Sequence, residues 1–176
     1  MKWWENEKVS IIWTVLRVWL GIQWIEAGWH KVVDGFDAGG FVQGAIGKAT
    51  GDNPAVQGWY ANFLEGFALP NIKLFNVLIP WGEVLVGIGL IVGVATIPAL
   101  IAGAFMNLNF LLAGTVSTNP ILFTAAIILL FVGKGAYIWG GDRFLVPYVK
   151  QRFFNKDHHQ VNNPKQDGKQ KKAIVY

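Results

Sequence analysis

Cysteine is absent from all 176 residues, which excludes thiol redox chemistry, disulfides, Cys-ligated iron–sulfur clusters and Cys-attached haem in this chain. Charge is scarce as well: Asp, Glu, Lys and Arg make up 15% of residues against 53% hydrophobic ones, with a mean hydropathy of +0.37. An ordinary soluble domain does not have that balance. The apolar stretches are continuous and lack the alternation of lipid-facing and lumen-facing side chains, which disfavours a β-barrel relative to helices. Histidine is limited to His30, His158 and His159, and no His and carboxylate set has catalytic-metal spacing. Neither a metal nor haem is expected. The glycine-rich stretches lack a preceding strand and a P-loop lysine, so they make no nucleotide cradle.

What is present is a set of four apolar runs, about 9–29, 74–94, 98–116 and 120–139, each near the roughly 20 residues that cross about 30 Å of hydrocarbon. They predict an all-α fold, an integral membrane four-helix bundle occupying residues 1–142. The first run, interrupted by Arg17 and Glu26, reads as an uncleaved span and not as a signal peptide. Residues 143–176 form a basic tail in which Arg143, Lys150, Arg152, Lys156, Lys165, Lys169, Lys171 and Lys172 outweigh Asp157 and Asp167. Positive segments stay inside, so both termini are expected in the cytoplasm of a cell-membrane protein, with the 31–73 connection outside. The tail is expected to be largely disordered from Asn155 onward and to rest against anionic lipid, with no nucleic acid partner.

The outer connection is too apolar for a simple loop. Trp59, Phe63 and Phe67 recur every fourth residue, keeping them near one helix face, and Gly47, Gly51 and Asp52 to Pro54 break the segment. A lid of short interfacial helices is expected there. Trp3, Trp4, Trp29, Trp59 and Trp139 fall where an aromatic belt would anchor the chain. Asn119 and Pro120 open the fourth span, Asn119 as a capping side chain.

The polar residues of the spans carry the chemistry. Arg17 lies inside the first span, where a guanidinium demands other helices, a counter-charge or a wet cavity. On a helix, Gly21, Trp24, Gly28 and Lys31 fall within roughly 40° of it, whereas Glu26 points the opposite way. The second span offers Trp81 and Glu83 beside Pro80 and Gly82, a kink-forming group, with Gly89 and Gly93 as a close-packing pair. The third offers Asn107 and Asn109, the fourth Lys134. Measured from the outer ends of the spans, Arg17 lies about 18 Å deep, Glu83 about 13 Å, Asn107 about 14 Å and Asn109 about 10 Å. Arg17 is therefore expected to pair with Glu83, an asparagine amide satisfying what remains. Whether such a network binds a ligand or only fixes helix register stays open at this point.

The order Arg17, Gly21, Trp24, Gly28, Lys31, followed by Gly82, Glu83 and Gly87, Asn107 and Gly114, and Gly140, Gly141 and Asp142, resembles the DoxX/DoxD-like family of small four-span membrane proteins. The resemblance covers about Ser10 to Asp142. It implies a membrane subunit of a quinone-linked oxidoreductase system, similar to the DoxD-type subunit of thiosulfate:quinone oxidoreductase, with a partner redox subunit or enzyme. Arg17 and Glu83 would be catalytic, polarising a quinone carbonyl or relaying its protons. Trp24, Trp81, Asn107 and Asn109 would hold a membrane quinone, the indoles by stacking on its ring. The alternative is a non-catalytic membrane anchor or assembly factor for a redox or detoxification enzyme. A solute or proton carrier would use the same charges, but no repeat symmetry is evident. A homo-oligomer is compatible with either reading.

Overall fold

The computed structural model describes residues 3–154. Every regular element among them is helical: α1 (Glu7–Asp34), α2 (Ala38–Gly47), α3 (Gly58–Phe63) running into a π turn (Leu64–Ala68), α4 (Ile72–Val92), α5 (Thr96–Leu112), α6 (Asn119–Val132), α7 (Lys134–Tyr137) and α8 (Asp142–Phe154). A 3-10 turn, Trp3–Glu5, precedes them. The four apolar runs coincide with α1, α4, α5 and α6. Only α1 and α4 are long and apolar enough to cross a membrane; α5 and α6 are apolar but shorter, at 17 and 14 residues. The fourth run is cut at Gly133, whose φ of +61° ends α6 before α7 begins.

Local chemistry explains the ends. Asn6 caps α1 by accepting from the Lys8 N–H at 3.0 Å, and the hydroxyls of Ser10 and Thr14 donate back to the carbonyls of Asn6 and Ser10, each at 2.9 Å. These back-bonds satisfy polar side chains inside an apolar helix. Asp37 caps α2 through Gly39 and Gly40, and the amide oxygen of Asn76 accepts from the Ala38 N–H at 2.8 Å. Asn119, the expected cap, instead donates to the Thr115 carbonyl at 2.9 Å, leaving Thr118 at the cap position without a side-chain bond.

The α1 and α4 pair forms the most extensive helix contact. Gly21 and Gly28 face α4, and Gly87 faces α1. A Cβ on Gly87 would stand 2.7 Å from the Gly21 carbonyl oxygen, and one on Gly28 would stand 2.8 Å from that of Pro80. Backbone meets backbone only because neither glycine has a side chain. Gly93 also packs closely, since a Cβ there would stand 2.8 Å from the Gly140 Cα, and its φ of +69° makes it the left-handed residue that terminates α4. Leu20, Leu90, Leu100 and Leu129 fill the space enclosed by α1, α4, α5 and α6. A second apolar cluster joins α2, α3 and the π turn to Ile72 and Phe75 of α4 and to Leu112 and Ala113. Large apolar side chains also stand exposed on every long helix, including Val15, Leu85, Phe105 and Phe131.

The chain divides into two units, residues 1–143 and 144–176. Of the second, the described part is the remainder of α8, with Phe144 and Tyr148 exposed. Residues 143–154 are helical, ahead of the stretch for which disorder is expected. That stretch, from Asn155 onward, lies outside the described residues.

Candidate functional site

The stripe on α1 separates two polar centres. At its far end, three residues past Gly28, Lys31 reaches α4 and sets its ammonium 2.6 and 2.7 Å from the two carboxylate oxygens of Glu83. Gly28 makes that reach possible, since a Cβ there would stand 2.9 Å from the Cβ of Glu83. The Glu83 side chain is 1% exposed and that of Lys31 27%. One partner is therefore held in the core and the other touches the surroundings. The Lys31 nitrogen also lies 5.7 Å from the ring centres of both Phe36 and Phe110, within cation–π range.

This pair borders a cavity of about 320 Å³, at the small end of volumes that hold organic ligands. Its walls are mainly apolar, built from Trp24, Phe36, Phe41, Phe110 and Leu122, with Thr115, Ser117, Thr118 and Asn119 contributed by the connection into α6. Trp24 is almost wholly buried, and its indole Nε1 lacks a hydrogen-bonding partner. It packs on Gly103, where a Cβ would stand 3.2 Å from Nε1. One helical turn along α5, both amide atoms of Asn107 are likewise buried and unpartnered. Neighbouring Met106 lies over Gly82, and Asn107, expected at the site, is not among the residues that line the cavity. Buried polar atoms left in that condition call for a ligand or a water.

Arg17 forms the other centre, away from Glu83. Its Nη2 donates to the Trp139 carbonyl at 2.8 Å, the guanidinium lies against Gly93 and Gly140, and Asp142 is its electrostatic partner. The Asp142 carboxylate accepts from the N–H groups of Ala95 and Thr96 at 2.8 and 2.7 Å, capping α5. The Asp142 N–H donates to Gly93 at 2.7 Å, and that of Gly141 to Val92 at 3.2 Å. The Gly140, Gly141 and Asp142 sequence thereby fastens the exit of α7 to the α4–α5 turn.

The expected Arg17 and Glu83 pair is thus replaced by the Lys31–Glu83 salt bridge, while Arg17 donates to the Trp139 carbonyl, has Asp142 as an electrostatic neighbour, and keeps Nε and Nη1 buried without a hydrogen-bonding partner. The reason lies in helix ends: α1 continues to Asp34, so Arg17 is about 26 Å from its end, while Glu83 is only about 17 Å from the start of α4. Of the other expected site residues, Trp24 lines the cavity. Trp81 does not, being 50% exposed on the outer face of α4. Asn109 is occupied elsewhere, donating to the Phe105 carbonyl at 2.8 Å and accepting from the Tyr60 hydroxyl at 3.1 Å. Lys134 and Glu26 are exposed. Among the described residues no group of His, Asp and Glu is arranged to hold a metal. Lys31, Phe36, Phe110 and Asp142 are the residues that sequence reasoning left without a site role. The signal for Lys31 was its place at the end of the glycine stripe, and for Asp142 its place in the glycine-rich exit.

The family model described as DoxX matches residues 12–116 of this chain, a stretch that contains every residue of the cavity except Thr118, Asn119, Ser117 and Leu122. No curated protein and no solved structure matches it.

Proposed function

The chain belongs to the DoxX family of membrane proteins, and from that membership and the charged cavity we propose that it is the membrane subunit of a quinone-linked oxidoreductase system. The observation that carries this reading is the Lys31–Glu83 pair beside an aromatic-walled cavity. In this reading α1, α4, α5 and α6 cross the bilayer. The exposed apolar side chains of all four helices are what lipid would cover and water would not. The segment 38–68 is the outer lid, and both termini are cytoplasmic.

The residues present suit a quinone head. Trp24 and Phe110 offer ring faces, and the Lys31 ammonium, with two of its three N–H groups occupied by Glu83, has one left for an oxygen acceptor. A quinone, when bound, supplies carbonyl oxygens that take up electrons and protons on reduction. The chain's part is to orient the ring between aromatic faces, to donate from Lys31, and to hold or release a proton at the Glu83 carboxylate. The unpartnered Nε1 of Trp24, a residue of the cavity wall, is a further polar contact for the head group. Arg17 acts in this reading through architecture and not through the ligand. Electrons pass to or from a partner redox subunit.

Mass spectrometry of lipid-soluble compounds that co-purify with the intact protein tests the reading: a quinone is expected with the wild type and lost with Glu83→Gln. An unchanged quinone content in the variant would contradict it. A second reading, anchor or assembly factor, is favoured by the ridge of Trp59, Phe63 and Phe67 on α3 and the π turn, exposed by 62, 42 and 51%. It expects capture of a partner that survives Glu83→Gln and is lost when the ridge is replaced by serine.

A further inference from the structure

The cavity has a closed end and an open one. Its rim residues Ser117 and Thr118 are exposed, and Thr115 and Asn119 half-buried. All four carry hydroxyl or amide groups, which water solvates readily. Phe36 and Phe41 bound the cavity from the segment leading into α2 and from α2 itself. Every one of these residues belongs to the end of the bundle where α1 finishes. Toward the other end the next layers are Leu20, Leu90, Leu100 and Leu129, each 0 or 1% exposed. Beyond them Arg17 is held by Trp139, Gly93, Gly140 and Asp142. An apolar layer of this density offers water nothing to bind. The charged group that meets Glu83 is Lys31; from α2, α5 and α6 the cavity receives Phe41, Phe110 and Leu122 with the polar rim, and no second charge.

We propose that this cavity is a dead-end aqueous vestibule, through which water, protons and small solutes reach the Lys31–Glu83 pair from the face bearing residues 38–68 and from no other. Any proton taken up or released at Glu83 is then exchanged with the solution on that face. In this conformation the bundle is a one-sided site and not a through-path. The inference rests on the membrane-spanning reading, though not on the identity of the ligand.

The lack of cysteine makes single-thiol reporters unambiguous. In the full chain, Ala27→Cys places a thiol in the cavity wall and Thr118→Cys one at its rim, while Asp52→Cys and Lys8→Cys mark the two faces. Each variant is expressed in sealed right-side-out and inverted vesicles and treated with a charged, membrane-impermeant maleimide. Labelling of Ala27→Cys and Thr118→Cys is expected only in the orientation that labels Asp52→Cys, with at least a tenfold preference over the opposite one. Labelling of Ala27→Cys from the Lys8→Cys face, or from both faces, would overturn the vestibule. So would failure to label from either face when Thr118→Cys labels and unfolding exposes the Ala27→Cys thiol. If Asp52→Cys and Lys8→Cys react on the same face, the spanning reading itself fails and takes the vestibule with it.

Discussion

The two charged centres differ in what a single substitution leaves behind. Lys31→Met strands the carboxylate of Glu83, a side chain 1% exposed, and is expected to cost about 3 kcal/mol, the lower end for breaking a buried pair. Glu83→Gln leaves an ammonium that is 27% exposed and able to turn toward water, so its cost is expected to be about 1 kcal/mol. Thermal unfolding of the two variants in the same lipid checks the order; equal losses would contradict the burial asymmetry. Asp142→Ala removes the cap of α5 and the partner of Arg17 together. A loss of about 2 kcal/mol is expected from the cap and charge, with ligand affinity in the folded fraction unchanged, as measured by titration calorimetry. At this scale the sequence was readable in part. Helix phase correctly put Arg17, Trp24 and Lys31 on one face and Glu26 on the other. The partners were misassigned because depth along a span depends on where each helix ends, and α1 overruns its apolar run by five residues, from Trp29 to Asp34.

Among the elements, the contact of α1 with α4 is set by glycine. Gly87→Leu would drive a side chain into the Gly21 carbonyl and Ile25, and a loss of about 3 kcal/mol is expected from overpacking at a site where backbone, not a flexible side chain, must move. Chemical or thermal unfolding of Gly87→Leu beside Gly66→Leu, where nothing lies within 4 Å, isolates the packing effect. The α3 segment is tied to α5 by the Tyr60 hydroxyl, which donates to Asn109. Burial raises the Tyr60 phenol above its ordinary value of 10.0. Because the folded-state value is the higher one, the stabilisation is complete below the ordinary value and is lost as pH rises through the raised one. Tyr60→Phe should therefore flatten the alkaline limb of the stability profile. Four apolar runs sufficed to foresee the long helices, and the Trp59, Phe63 and Phe67 spacing foresaw a helix in the connection. The break at Gly133 was signalled by the Gly133, Lys134 and Gly135 sequence inside the fourth run but not read as a helix end, and the helical start of the tail rests on a short mixed segment whose periodicity is weak.

Over the described residues up to Arg143, apolar side chains exposed on the long helices surround two charged centres, one at Arg17 in the first half of α1 and one at Lys31 near its end. The first fastens the α4–α5 turn to the exit of α7, and the second places a carboxylate and an ammonium beside aromatic rings and a polar rim. Function is assigned to the second because its cavity can admit a ligand, whereas Arg17 is enclosed by backbone. The most direct test is equilibrium binding of a short-chain quinone to the full protein in lipid nanodiscs, comparing wild type, Glu83→Gln, Lys31→Met and Asn109→Ala. Binding is expected to weaken at least tenfold in the first two variants, a change of about 1.4 kcal/mol, and to persist in Asn109→Ala, whose side chain lies outside the cavity. Wild-type affinity in both Glu83→Gln and Lys31→Met would contradict the assignment.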